Sequence, residues 1–587
     1  MGRKIHTAWT GPLLLNTTNV VQTKFPRGVG GGDIFDSAAF DADFASTLSL
    51  VDSVSGNNLI DFTRSSTATY IDSAGVIQDT KANLMPYSED FASWTVAVNS
   101  TITSDNAVAP NGQMTADQLF FPATGSTNVS QSVTLEQNKT YTVSMWAKAV
   151  SAGVNDKFKF YINSTTPAKP PSDLIATAEW QRFEFTWTHT NATTSVGIFV
   201  LNDGDAYITD IYAFGFQLEE AASASDYIKT QASATFAPRF DHDFETLESL
   251  GLLIENSSTN KIRYSENFNI ATTDWTTTNS GATSLSGVLS PDGVTYMTLM
   301  DLSAIAGSVS AGSRVYQSSS NFTSGDQAFS FYARSVSGTG TFPVGYYNGS
   351  AYIKDYIELT ETIKRYTMIV PARVTTGNIV GWTRRGDTQL ETLDQALVWG
   401  AQFEDVGYPT SYIRTSGTSA TRSADLPTIT GTNFSDWYND SEGTFVTTTS
   451  SITNLQTANN RGIFAVTDTG TAASVFRHLA MYRGPTDNFY VISKAASATV
   501  FSPVTVGDPT YSNDSVGYGY SSSEASDVFY DGSQITTTTS TVNWAAYTAN
   551  KLEIGSHAGS SFINGHVKRL TYWSTKLSDA DMIEVTK

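Results

Sequence analysis

Trp146 and Lys148 stand on the polar side of a period-two pattern, Thr140 to Ala149 (TYTVSMWAKA). The other side carries Tyr141, Val143, Met145, Ala147 and Ala149, the signature of a half-buried strand. Tyr332 and Arg334 take the same two places in Gln327 to Arg334 (QAFSFYAR), 186 residues further on, with Phe329, Phe331 and Ala333 as the apolar side. An aromatic ring and a cation on one strand face offer a platform for the apolar face of a sugar ring and a donor for its hydroxyls. Trp146, Lys148, Tyr332 and Arg334 are therefore the candidate ligand-binding residues, with a glycan as the ligand. The same pattern also suits an outer-face aromatic shielded by a loop or a neighbouring module.

Other chemistry is harder to build. Glycoside hydrolysis needs two carboxylates about 5–10 Å apart. The adjacent pairs Glu89 with Asp90, Glu219 with Glu220 and Glu404 with Asp405 point to opposite faces of an extended chain, so none works alone. Glu89 and Glu219 lie near the two ends of one module and can meet there. A structural calcium would suit such carboxylates, but plain hydrogen bonding between the module's ends is the simpler expectation, and no cofactor is expected. The six histidines, His6, His189, His242, His478, His557 and His566, are dispersed. Only His242 has flanking carboxylates, Asp241 and Asp243, which point away from it on an extended chain. There is no cysteine, hence no disulfide framework and no thiolate site. The run Gly28 to Gly32 precedes no helix, and no nucleotide-binding or nucleophile-elbow signature is present.

The elements that must position these residues come in two copies. NLMPYSEDFASW (Asn83 to Trp94) returns as NKIRYSENFNIATTDW (Asn260 to Trp275), with Tyr87 and Tyr264, and Phe91 and Phe268, each 177 apart. FGFQLEEAASASDYIKT (Phe214 to Thr230) returns as WGAQFEDVGYPTSYIRT (Trp399 to Thr415), 185 apart. Trp94 and Trp275 read as core markers. Alternating strands fill the interval, such as Arg182 to Thr188 with Phe183, Phe185 and Trp187 inward, and no amphipathic helix interrupts them. The expected organisation is an N-terminal attachment segment (1–45), a β-rich connector (46–82), two jelly-roll modules (83–236 and 260–428) separated by a linker (237–259), and a further sandwich (429–587). The class is all-β, in tandem antiparallel sandwiches. The tyrosine-rich stretch Tyr518 to Gly532 in the last unit is a second place for a ligand or for packing. Asp531-Gly532 reads as a tight turn, and Ser578 as the N-cap of a closing helix, with Asp581 at its third position and Leu577 stapled onto Met582.

Composition agrees with this class and removes others. Of 587 residues 40% are hydrophobic, 12% aromatic and only 16% charged, with a net charge of −21. That length suits roughly three to five domains, and that charge opposes nucleic acid and anionic membranes as partners. No apolar stretch approaches a membrane span, so no membrane insertion is expected.

The strings FTRSSTATYIDSAGVIQ, APRFDHDFETLESLGLLIENSSTN, NLMPYSEDFASW and WGAQFEDVGYPTSYIRTSGTSATRSAD resemble those of bacteriophage virion proteins, chiefly tail fibres and spikes. In these, carbohydrate-binding-module-like jelly rolls stand in tandem and often precede a concanavalin A/laminin-G-like domain, to which the chain's ending, from Asn550, is similar. The resemblance implies a virion protein with residues 1–45 on other virion proteins, a host cell-surface glycan as the target and a homotrimeric assembly; with no paired-carboxylate motif or long parallel-repeat stretch in the sequence, no enzymatic activity is expected. A capsid-decorating or tail-structural role, in which the modules only pack and space, is the alternative, and a polysaccharide depolymerase ranks third.

Overall fold

The computed structural model describes residues 32–587 apart from 124–126, 152–155, 164–167, 169–171, 203–206, 279–281, 304–311, 320–325, 348–350, 372–377, 386–389, 452–460, 468–476, 484–488, 493, 496–497, 500–513, 538–548, 558 and 560. His6 and the glycine run as far as Gly31 lie outside the described residues, and Gly32, the last of the run, opens the four-residue helix Gly32–Phe35, where the sequence predicts no helix after the run. Every pairing between named strands is antiparallel, and the described helices are short, the longest being Asp579–Val585. Among the described residues no helix is long and apolar enough to cross a membrane.

The two repeats share one strand order. In module 1 the sheet carrying Trp146 runs Gln181–His189, Lys139–Ala149, Thr209–Glu219, Met114–Phe121, Thr101–Val108. Facing it is a sheet of Leu174–Ala176, Asp156–Ile162, Ser195–Leu201, Asn128–Thr134 and Thr95–Val96. Module 2 repeats this with Lys364–Val370, Gln327–Ser335, Gln395–Glu404, Tyr296–Asp301, Ala282–Leu289, opposed by Tyr352–Leu359, Gly340–Tyr347, Asn378–Thr383, Arg314–Ser319, Thr276–Thr278. The alternation predicted for Tyr141 to Ala149 is the reason: Val143 and Met145 from one sheet meet Phe158, Phe160 and Ile198 from the other in a closed apolar layer. Phe185 and Trp187 join that core, Phe183 packs at its margin, and Trp94 and Trp275 are buried with their indole N–H on the Tyr87 and Tyr264 carbonyls, at 3.0 and 2.8 Å.

The segments on either side of the modules are not free linkers. Ser249–Ile254 pairs with Gly565–Trp573, Phe40–Ala42 pairs with the same strand, and Asp61–Thr63 pairs with Leu426–Thr430. The third sandwich is thus assembled from four distant parts of the chain, and its core mixes Phe40, Phe44 and Phe62 with Leu252, Ile254, Phe445, Phe464 and Tyr572. Both modules are insertions into it, each closed at its root by a two-stranded clasp: Thr235–Phe236 on Ala82–Asn83, and Ser258–Asn260 on Ala420–Arg422. Residues 40–45, which the sequence placed in a segment ordered by another protein, are ordered by the chain's own last strand. Asp41 is buried there, taking Arg569 through both oxygens (2.8 and 3.0 Å) and the Thr571 hydroxyl (2.8 Å).

A buried ionic cluster ties the insertions to this base. Asp425 receives Arg64 at 2.6 Å and Arg239 at 2.5 Å, Glu255 receives Arg239 at 2.8 Å, and Arg422 lies 3.4 Å from Glu255, all with fully buried side chains. Burial opposes the charge of Asp425, but three guanidinium groups outweigh it and hold its carboxyl below the usual range. Arg64 is pushed down to about 10 by burial. The terminal helix begins as expected, with the Ser578 hydroxyl accepting from the Asp581 N–H, while Leu577, expected to staple onto Met582, packs with Trp573 and Val585. Asp531 and Gly532 both have positive φ, 42° and 72°, and turn Asp527–Tyr530 into Ser533–Thr537.

Candidate functional site

Trp146 and Tyr332 occupy the same point of the repeat. Beside each, the neighbouring strand carries a bulge at a left-handed glycine, Gly215 (φ 65°) or Gly400 (φ 65°), where a Cβ would press on the ring at 3.1 or 3.2 Å. An arginine from the other neighbour lies over each ring, Arg182 at 4.3 Å from Trp146 and Arg365 at 5.7 Å from Tyr332. Each arginine also donates 3.0 Å to a serine two residues before the aromatic, Ser144 or Ser330. The repeat therefore preserves a structural unit of serine, aromatic, arginine and glycine bulge.

What lies above the two rings differs. Tyr332 is 3% exposed, beneath Phe244 at 5.5 Å and in one cluster with Ile77, Met297 and Trp399. The cover is the hairpin of Thr69–Ile71 and Ile77–Asp79, fixed by the Thr69 hydroxyl on the Tyr412 carbonyl (2.5 Å) and the Ile77 N–H on the Pro291 carbonyl (2.9 Å). Tyr332 therefore presents no open platform, and Arg334, which donates to the Ser335 carbonyl at 3.1 Å, sits half-buried beside it. Trp146 is half-buried, packed edge-on against Tyr227 at 5.6 Å and beside Phe214 at 6.1 Å, while Lys148 is half-buried opposite Tyr212.

The carboxylate pairs do not converge. Glu219 accepts from the Gln217 amide (2.8 Å), the Ser225 N–H (2.8 Å) and the Ser225 hydroxyl (2.6 Å). Glu404 accepts from Gln402, Ser258 and Thr410 in the second copy. Glu89, raised by burial against the pull of Lys229, accepts from Tyr227 at 3.1 Å. Asp90 caps the turn at Phe91–Ser93, Glu220 meets Lys139 at 2.6 Å, and Asp405 accepts from Gln327 at 2.8 Å. Among the described residues no group of three or more histidines and carboxylates is placed to hold a metal. Asp241 turns to His566 at 2.9 Å, and His242 faces the Ile71 carbonyl at 3.2 Å. Tyr518 and Tyr520 are fully buried, with the Tyr520 hydroxyl on Tyr572 at 2.9 Å, so that stretch serves packing.

Sequence reasoning passed over a different face. On the second sheet of module 1, Thr95, Ser130, Phe199 and Tyr161 are register partners across four strands. Phe158, Phe160, Ile198 and Val200 on the same strands fill the core, so this row lies on the outer side. Tyr161 and Phe199 stand edge to face at 5.4 Å, both half-buried. Gly197 leaves room for the Phe199 ring, since a Cβ there would come within 2.7 Å of it. Asn163, Lys159 and Asp173 flank the pair, with Lys159 and Asp173 joined at 3.1 Å. The available signal was the alternation itself: DKFKFYI puts Tyr161 among the polar positions of its strand, as TYTVSMWAKA does Trp146.

Residues 89–206 match a family of carbohydrate binding domains. No curated protein matches the sequence. Among solved structures, the tandem CBM22-1-CBM22-2 domain of Paenibacillus barcinonensis Xyn10C is similar over 56% of this chain and 98% of that one, at 12% identity and a TM-score of 0.21. The CBM40 of Ruminococcus gnavus IT-sialidase is similar over 25% and 84%, at 12% identity and 0.23. The enzymatically active domain of Bacteriophage CBA120 tailspike protein 4 is similar over 23% and 21%, at 12% identity and 0.18. With the repeated strand order, the family match supports carbohydrate-binding-module-like sandwiches, and module 1 carries the matched region.

Proposed function

We propose that this chain is a non-catalytic glycan-binding protein whose module 1 takes a sugar on the row Thr95, Ser130, Phe199 and Tyr161. The observation that carries this is the coincidence of the family match, residues 89–206, with the half-buried aromatic pair on that module's outer face. Ring faces there would stack on the apolar side of a pyranose while Ser130, Asn163 and Lys159 reach its hydroxyls. The engagement of the three adjacent carboxylate pairs in hydrogen bonds or ion pairs supports binding without hydrolysis.

The setting is a virion fibre or spike, with the residues before Gly32 toward other virion proteins, the last sandwich of concanavalin A/laminin-G type, and a homotrimer giving many weak sites avidity. This rests on the resemblance of the four strings quoted above and of the chain's ending from Asn550. A spacing role is supported for one surface, the Tyr332 face of module 2, because the chain's own hairpin covers it.

A glycan-array screen of the full chain, repeated with Tyr161→Ala, Phe199→Ala and Trp146→Ala and with the solution mass measured, tests the proposal. Loss of binding in the first two variants, with Trp146→Ala retaining it, is the expected result. Loss in Trp146→Ala alone would move the site to the other sheet, and no binding by the folded parent would leave the spacing role.

A further inference from the structure

The shared strand order lets the outer faces of the two second sheets be matched position by position. Val129 lies opposite Val200, and Val315 opposite Trp382, all facing their cores. Counting outward from these, Phe199 and Tyr161 of module 1 correspond to Gly381 and Gly345 of module 2, which are themselves register partners. Asn128 corresponds to Arg314, and Ser130 to Tyr316. The aromatic pair of one repeat is thus replaced by bare backbone in the other.

Side chains from both flanks reach across this floor. Arg314 donates to the Tyr352 hydroxyl from the strand on the far side of the two glycine-bearing strands. Its guanidinium lies 4.7 Å from the Tyr316 ring and 5.0 Å from the Tyr352 ring. Arg385 comes over the same Tyr352 ring at 4.5 Å and donates to its hydroxyl at 3.4 Å. Tyr347 adds a third ring, 4.9 Å from Tyr352.

Arg314 is only 5% exposed, yet among the described residues its acceptors are two hydroxyls, those of Tyr352 and Thr278, and its Nε has none. The other deeply buried guanidinium groups described above each face a carboxylate: Arg64 faces Asp425, Arg239 faces Asp425 and Glu255, and Arg422 faces Glu255. In module 1 the cations of the matching face are likewise paired, Lys157 and Lys159 lying 3.6 and 3.1 Å from Asp173. A buried guanidinium facing only hydroxyls and rings is electrostatically incomplete, and an anion between Arg314 and Arg385 completes it.

We infer that this face of module 2 binds the carboxylate of an acidic sugar, a hexuronic-acid type residue of a glycan. The two guanidinium groups take the carboxylate, and Tyr316, Tyr347 and Tyr352 wall the ring. The inference rests on the glycan-binding reading of the modules, and it gives the two repeats different ligands: uncharged sugars on module 1, acidic ones on module 2.

Titration of the full chain with a panel of hexuronic-acid and neutral oligosaccharides tests it. The panel includes α-1,4-linked tri-galacturonic acid and the galactotriose that carries CH2OH in place of each carboxylate. The expected result, read in the Tyr161→Ala background so that the neutral site of module 1 is silent, is selective binding of acidic members, weakened by salt, lowered at least about tenfold on adding Arg385→Gln and lost on adding Arg314→Met. Equal affinity for acidic and neutral partners in that background, or acidic binding with Arg385→Gln added within about twofold of it, overturns it. Should Arg314→Met fail to fold by circular dichroism, Arg385→Gln, on a half-exposed residue, decides. Neutral binding that depends on Tyr161 with no acidic binding overturns this inference alone. Binding of no sugar overturns it together with the reading on which it rests.

Discussion

Replacing Asp425 by alanine tests how the two insertions are held on the base. Its carboxylate receives Arg64 at 2.6 Å, Arg239 at 2.5 Å and the Glu255 N–H at 3.0 Å, and it is wholly buried. Removal leaves Arg64, Arg239 and Arg422 facing Glu255 alone, so the cluster's excess positive charge grows from one to two inside the protein. Breaking such a buried arrangement by deleting one partner costs about 3–5 kcal/mol. With a urea dependence of about 2 kcal/mol per molar, the transition of the base sandwich should move down by about 2 M. Urea unfolding followed by tryptophan fluorescence reads this, because Trp437 and Trp573 belong to that sandwich and Trp94 and Trp275 to the modules. The double variant with Arg239→Met, which also removes a cation, should lose less than the two single losses combined. A single Asp425→Ala variant within about 0.5 kcal/mol of the parent would refute the assignment of the cluster as the tie between units.

Tyr332→Ala should destabilise module 2 by about 3–5 kcal/mol in thermal melts, as expected for emptying a buried aromatic site, and leave glycan binding on module 1 unchanged. Gly215→Ala should lower module 1's stability by about 1–2 kcal/mol, from its positive φ, and by more through the press on Trp146; measured neutrality would place the bulge elsewhere. Asp117, raised by burial to about 6 against hydrogen bonds from the Asp105 and Phe91 N–H groups, binds its proton more tightly folded than unfolded. Module 1 should therefore gain stability as pH falls from 7 toward 4, and Asp117→Asn should flatten that slope in melts across the range. Asp425 has the opposite sign: its carboxyl is depressed in the fold, so its contribution is present above the ordinary carboxylate range and lost as pH falls below about 4.

The duplication was plain in the sequence because both copies keep their strand alternation and their closing residues. Asn83 and Asn260 each bond two carbonyls at the module's exit, Phe216 and Ile228 or Ala401 and Ile413. The insertion topology was not plain, since Phe40 finds its partner Tyr572 at the opposite end of the chain and no local pattern encodes that pairing. The candidate site was half legible. Period two correctly put Trp146 and Tyr332 on the outer side of their strands, but an outer side says nothing of what covers it, and the cover of Tyr332 comes from residues 69–79 and 244. Tyr161 and Phe199 become neighbours only when Asp156–Ile162 pairs with Ser195–Leu201, which the strand sequences do not specify.

The most direct test of the central claim is a binding isotherm for the best neutral oligosaccharide on the parent chain and on the Tyr161→Ala/Phe199→Ala double variant. Removal of both rings should weaken binding at least about tenfold, corresponding to 1.4 kcal/mol or more, with the melting profile of the other two sandwiches unchanged. Equal affinity in parent and variant would contradict the claim that this face of module 1 is where the sugar lies.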